Sequence, residues 1–189
     1  MKIAIIGTHS TGKTSIIRQL SLVLQARGER VFVVSELSRR APGEINEGAK
    51  LATQLWIQEK QKEEEWRCAQ HSGTILCDRS TLDNFAYLQR IAGKKDVSVM
   101  ERDAVKHMKT YDFVFKTKKL AMQAEDDGVR SIDDGFRDDI EARIVGLLHT
   151  HGIGHHTLPG TLDYAHIVSY IQRIIAPKPH SVQFATAQA

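Results

Sequence analysis

A short apolar block, Ile3-Ala4-Ile5-Ile6, runs straight into Gly7-Thr8-His9-Ser10-Thr11-Gly12-Lys13-Thr14, after which the chain turns helix-periodic. No other part of the sequence restricts the fold as strongly. The apolar block is too short for a helix and too continuous for a half-exposed strand, so it reads as a strand covered on both faces. Beyond the glycines, Ile16, Leu20, Val23 and Leu24 recur at helical spacing, and Gly28 ends the run. A strand, a glycine-bounded turn and a helix in that order gather successive main-chain N–H groups at a helix N-terminus, where they attract an anion.

The turn fits G-x-x-x-x-G-K-[ST] at every fixed position, the pattern of a phosphate-binding P-loop. Its chemistry follows from the residue types. The glycines let the backbone curl around phosphate oxygens, Lys13 brings a mobile cation to the β and γ phosphates, and the Thr14 hydroxyl can ligate Mg²⁺. Four fixed positions coincide by chance in a chain of this length only about 1% of the time at ordinary glycine usage. The expected ATP contacts are therefore Gly7, Thr8, His9, Ser10, Thr11, Gly12, Lys13, Thr14 and Ser15. His9 occupies a variable position and by itself reads as a solvated loop histidine.

Further apolar blocks follow at Val31–Val34, Thr74–Cys77 and Phe113–Phe115, with a weaker one at His155–Leu158. Between them lie helix-length stretches at Leu51–His71, Leu82–Ala92, Val99–Thr110, Phe136–His149 and Leu162–Ile175. This alternation predicts a three-layer α/β/α domain of the P-loop NTPase type, with a mostly parallel five-stranded sheet. One domain over 1–176 is expected, with 177–189 as an aperiodic tail. Composition adds limits. A net charge of +3, from 26 basic and 23 acidic residues, gives no case for a nucleic-acid partner. Cys68 and Cys77 are the two cysteines, too few for a disulfide framework or a thiolate metal site. No run is long and apolar enough for a membrane span, so a cytoplasmic location is expected.

The remaining signals concern chemistry. The third strand ends at Asp78, where a carboxylate beside the loop can hold a Mg²⁺-bound water. A switch GTPase would continue D-x-x-G, but position 81 is Thr, and Thr117-Lys118-Lys119-Leu120 lacks the acid that reads guanine. The second strand ends in Ser35-Glu36-Leu37-Ser38-Arg39. At that edge Glu36 can orient or deprotonate a hydroxyl, and Arg39 can clamp an anionic group. Asp126-Asp127-Gly128-Val129-Arg130 is echoed by Asp133-Asp134-Gly135-Phe136-Arg137. These segments suit a kinase-like mobile lid whose Arg130 and Arg137 swing over the phosphates, or, more plainly, a charged loop leading into a helix.

Together, Glu36-Leu37-Ser38-Arg39, Asp78-Arg79-Ser80 with Leu82-Asp83-Asn84-Phe85-Ala86-Tyr87, and Asp127-Gly128-Val129-Arg130 with Phe136-Arg137 resemble the nucleoside- and nucleotide-kinase branch of P-loop proteins. The compact kinase-like ATPases that include the ribosylnicotinamide kinase domain are similar. The resemblance implies that Glu36 or Asp78 is the base and that Arg79 touches phosphate or substrate. It makes Arg130 and Arg137 lid residues and sets Gly160, within Pro159-Gly160-Thr161, near the adenine. Gln54, Trp56 and Gln58 would lie on a helix bordering the acceptor pocket, with Gln54 as a substrate contact and Trp56 either stacking on a ring or serving the core. Glu63-Glu64-Glu65 with Lys60 and Lys62 reads as a solvated helix face. His149, His151, His155 and His156 lack the spacing of a zinc site. The expected activity is Mg²⁺-dependent transfer of the ATP γ-phosphoryl group to a small nucleoside- or nucleotide-like acceptor. The rival is a regulatory ATPase whose nucleotide state a protein partner reads. The oligomeric state stays open.

Overall fold

The computed structural model describes residues 1–45, 48–119 and 134–176. Strand β1 (Lys2–Ile6) leads through α1 (Lys13–Ala26) to β2 (Val31–Val34), a 3-10 turn (Leu37–Arg40) and α2 (Leu51–Ala69). Then come β3 (Thr74–Asp78), α3 (Thr81–Ala92), α4 (Ser98–Met108), β4 (Phe113–Lys116), α5 (Asp134–Thr150), β5 (His156–Thr157) and α6 (Tyr164–Ile175). The five strands lie in the order β2-β3-β1-β4-β5, and every neighbouring pair is parallel. The expected elements are therefore present, with ends moved by a few residues. Arg130 and most of the segment expected to form a lid lie outside the described residues, as do residues 177–189.

Why the strand blocks are continuously apolar is visible in the burial. Side chains alternate across a sheet, and here both sides are covered. Ala4, Ile6 and Cys77 face a core shared with Leu82, Phe85, Ile140 and Ile144 of α3 and α5. Ile3, Ile5, Leu76 and Phe115 face the opposite core, closed by Ile16 and Leu20 of α1 and Ile167 and Ile171 of α6. The carboxyl ends of β1, β2 and β3 thus converge at one rim, where ligands bind in open parallel sheets. Among the described residues no helix is long and apolar enough to cross a membrane.

Helix α2 corrects one expectation. Glu63 is exposed and ion-paired with Lys60 and Arg67, as a solvated face requires. Glu65 is not part of that face. It continues the inward stripe Gln54, Gln58, Gln61 at helical spacing, and its side chain is 1% exposed. There it accepts hydrogen bonds from Tyr111 Oη at 2.6 Å, Gln61 Nε2 at 2.7 Å and Lys2 Nζ at 2.9 Å, and His107 Nε2 lies 2.8 Å away. Burial alone would raise this carboxyl. The hydrogen bonds and the Lys2 charge outweigh it and hold the pKa at about 2. Glu65 thereby ties α2 to β1 and α4 at the rim opposite the carboxyl ends.

Candidate active site

The loop between β1 and α1 adopts the backbone its glycines permit. Gly7 and Gly12 have φ of 139° and 78°, and Ser10 joins them at 56°. A Cβ on Gly7 would overlap the Thr117 hydroxyl, which donates to Ile6 O at 3.0 Å and bonds Thr11 Oγ1 at 2.8 Å. On Gly12 it would come within 2.9 Å of the Tyr164 ring. The loop is thus clamped by β4 on one side and α6 on the other. No side chain caps the N-terminus of α1, so its first N–H groups face the hollow lined by Ser10 to Ser15. Lys13 folds back to donate to Thr8 O at 2.6 Å. Burial, with the Arg79 charge beside it, lowers the Lys13 ammonium to about 8 despite Asp78, Glu36 and Asp83. Phosphate oxygens in the hollow would restore full charge.

Three consecutive residues at the end of β3 take three different jobs. Asp78 accepts a hydrogen bond from Thr14 Oγ1 at 2.6 Å through Oδ2, while its buried Oδ1 has no hydrogen-bond partner among the described residues. A hydroxyl and a carboxylate side by side, with one buried oxygen unsatisfied, are hard oxygen donors that suit Mg²⁺ and its bound water. Arg79 sits in the left-handed region at φ 88°. Such a conformation costs on the order of 1–3 kcal/mol and persists only where neighbours over-determine it. Here Arg79 Nε and Nη2 both donate to Glu36 Oε1, at 2.9 and 2.7 Å, and its guanidinium lies 4.8 Å over the Tyr87 ring. Ser80 caps α3, accepting from the Leu82 and Asp83 N–H groups, while Asp83 returns the bond to the Ser80 N–H.

Glu36, Arg39, Gln54 and Arg79 line a common narrow pocket beside the loop, together with Asn84 and Tyr87. Its enclosed space is small, about 20 Å³, but Glu36 and Arg39 also line a neighbouring open pocket of about 330 Å³ with Thr14 and Asp78, which is in the range of small-molecule sites. Glu36 Oε2 faces Arg39 Nε at 3.7 Å. Gln54 is 4% exposed, and the buried Asn84 Nδ2 has no hydrogen-bond partner among the described residues. Four of the residues singled out in the sequence are therefore brought together, at the ends of two strands and on α2. Trp56 is half-buried and is absent from this wall.

His9 corrects the solvated reading. It is 2% exposed, because α3 and α5 close over the loop and put Tyr87 and Phe136 against its ring. Arg137 is fully buried at the start of α5 and donates to Asp134 Oδ1 at 3.0 Å. Gly160 is exposed, and its neighbours Pro159 and Thr161 line a hollow against Thr11, Thr117 and Lys118. His151 pairs with Glu101 at 2.8 Å, and no His, Cys, Asp or Glu cluster among the described residues could hold a metal. Sequence reasoning assigned no role to Asn84 or Tyr87. Their spacing of three along α3 was the available sign that both look the same way.

A family model described as an AAA domain matches residues 2–164. No curated protein matches the chain by sequence. Among solved structures, a NadR protein in complex with NR aligns with a TM-score of 0.74 at 18% identity, over 94% of this chain and 52% of that one. This chain thus spans about half the length of the NadR chain. Deoxyadenosine kinase from M. mycoides with bound dATP aligns at 0.66 and 15% identity, over 92% of this chain and 98% of that one. Thymidylate kinase from Ehrlichia chaffeensis aligns at 0.63 and 15% identity, over 93% and 98%. The fold shared with these structures is that of P-loop kinases.

Proposed function

Since this chain belongs to the AAA domain family of P-loop proteins, matching over residues 2–164, we propose that it is a Mg²⁺-dependent phosphotransferase carrying the γ-phosphoryl group of ATP to a small nucleoside- or nucleotide-like acceptor. The observation that carries this reading is the pair of adjoining pockets beside the loop, both of which Glu36 and Arg39 line. A regulatory ATPase read by a partner has no need of such a cavity, whereas an acceptor needs somewhere to sit. The kinase structures that share the fold are consistent with it.

Each residue has a part. The N–H groups of Gly7 to Ser15 bind the phosphates, and Lys13 neutralises the β and γ oxygens. Thr14 and Asp78 would hold Mg²⁺, which supplies charge neutralisation to the transferring group. Arg79 fixes Glu36 through Oε1. Glu36 then orients the acceptor hydroxyl and takes its proton. As the new O–P bond forms, the bond from the γ phosphorus to the β–γ bridging oxygen breaks, and ADP leaves with that electron pair. Asp78 stands beside Thr14 at the site proposed for Mg²⁺, which leaves Glu36 of the two carboxylates for the base. Arg39 and Gln54 contact the acceptor, and Arg79 serves it through Glu36. Arg130 would add charge stabilisation to the transferring group, Arg137 would do so only after leaving its buried bond to Asp134, and Gly160 would lie near the adenine.

ADP release measured with Mg-ATP against a panel of nucleosides, mononucleotides and nicotinamide riboside tests the proposal. Acceptor-stimulated release with at least one member is expected. Release that no acceptor accelerates would refute phosphotransfer.

A further inference from the structure

The phosphate loop meets the proposed acceptor pocket at one of its residues. His9 is a loop residue at the third position of the phosphate cradle, and its ring lines the acceptor cavity with Glu36 and Arg79. The loop residues Ser10 to Ser15 line the phosphate hollow instead. The His9 ring is also held from two further elements. Tyr87 of α3 places its hydroxyl 3.1 Å from His9 Nδ1, and Phe136 of α5 lies 5.6 Å away between ring centroids. Tyr87 and Phe136 are themselves 6.0 Å apart, which closes a triangle of rings. Tyr87 in turn carries the Arg79 guanidinium on its face. A continuous chain of contacts therefore runs Glu36, Arg79, Tyr87, His9, Phe136, from the base to the first turn of the helix that follows the lid segment.

We infer that His9 registers the acceptor against the γ-phosphoryl group, and that Tyr87 acts through it as a positioning residue. The inference rests on the phosphotransferase reading and adds a residue to its machinery. The physical reason is distance control. The main chain of residue 9 belongs to the cradle that fixes the phosphates, and its side chain meets the acceptor. The separation of nucleophile and phosphorus is then set across one residue rather than across two mobile elements. Errors of about 1 Å in such a separation lower rates by about 100-fold. A buried aromatic triangle is a rigid way to hold the ring, since each partner comes from a different element. A histidine that only filled space would not need its nitrogen engaged by Tyr87, nor a place on the cavity wall.

Four proteins test this: wild type, His9→Gln, His9→Phe and Tyr87→Phe. Phe keeps ring packing but loses both nitrogens, and Gln offers a polar end without the ring. The readouts are kcat and KM for the most effective acceptor, Kd for a fluorescent ATP analogue, and the unfolding temperature with and without acceptor. His9→Phe is expected to lower kcat/KM for the acceptor by about 30-fold or more while nucleotide Kd moves less than about threefold. His9→Gln is expected to recover part of the loss. Tyr87→Phe should lose less than His9→Phe and should do so in kcat rather than in KM. Acceptor-induced stabilisation should shrink in His9→Phe and survive in Tyr87→Phe. The inference is overturned if folded His9→Phe keeps wild-type kcat/KM, or if nucleotide affinity falls by the same factor as turnover. Wild-type protein that is stimulated by an acceptor, with His9→Phe equally stimulated, sinks this inference alone. Wild type that neither turns over nor is stabilised by any acceptor sinks the phosphotransferase reading as well.

Discussion

Lys13 and Glu36 show how the same burial serves opposite ends. Lys13 is 5% exposed with its ammonium lowered to about 8, from an ordinary 10.5. A group whose folded pKa lies below its unfolded value disfavours the folded state at low pH, and that cost fades as pH rises from about 8 to 10.5. Lys13→Met is therefore expected to leave the unfolding temperature of the ligand-free protein unchanged or higher at pH 7, while acceptor-stimulated ADP release falls by about 100-fold or more. A parallel thermal melt and turnover assay reads both. Normal turnover by the folded variant would remove Lys13 from the phosphate site. Glu36 is anchored by two Arg79 nitrogens. Glu36→Gln keeps an acceptor oxygen for Arg79 but cannot take a proton, so kcat should drop by about 100-fold with ATP affinity retained. A drop confined to KM would reassign Glu36 to binding alone.

At the scale of elements, α2 carries a polar buried stripe that a core helix would not normally tolerate. It is tolerated where donors and the carboxylate find partners, although the buried Gln58 and Gln61 side-chain oxygens have none among the described residues. Gln58 donates to Thr81 O at 3.0 Å, and Glu65 collects Lys2, Gln61, His107 and Tyr111. The Glu65 carboxyl is depressed from 4.5 to about 2, so its contribution to stability is present above about pH 4.5 and is lost as pH falls toward 2. A shift of that size corresponds to about 3 kcal/mol. Glu65→Gln is expected to lower stability at pH 7 by about that amount, since it leaves the largely buried Lys2 ammonium without its counter-charge. Denaturant melts of both proteins between pH 7 and pH 2.5 should converge as the acid removes the wild-type advantage. A constant difference across that range would show that Glu65 acts by packing. Its polar neighbours in sequence hid this residue: three consecutive glutamates look alike until the helix phase, counted from Gln58 and Gln61, is applied.

For the molecule as a whole, the nucleotide site is assembled from strand ends that share no stretch of chain. Thr14 and Asp78 meet across 64 residues, Glu36 and Arg79 across 43, and Thr11 and Thr117 across 106. A ligand that bridges these ends favours the folded state as a unit. Mg-ATP at 100 times its Kd adds about 2.7 kcal/mol, which for a chain of this size raises the unfolding temperature by roughly 5–11 °C. If Thr14 and Asp78 hold Mg²⁺ as proposed, excess EDTA should abolish most of that rise. Differential scanning fluorimetry with ATP, Mg-ATP and Mg-ATP plus EDTA measures this. An equal rise in all three would exclude a metal role for Thr14 and Asp78.

The sequence by itself determined the strand-loop-helix at the start of the chain, the parallel α/β layers and the identities of Lys13, Thr14, Glu36 and Asp78 as groups of interest. These are local: a fixed motif, an apolar block and a helical period are each read within a dozen residues. Only the tertiary structure decided that Glu36 and Arg79 grip each other, that Glu65 is buried, and that His9 is packed between Tyr87 and Phe136 instead of standing in water. Each of those depends on which distant element closes over the residue, and contacts between strand ends and helices far apart in the chain leave no spacing pattern in the sequence.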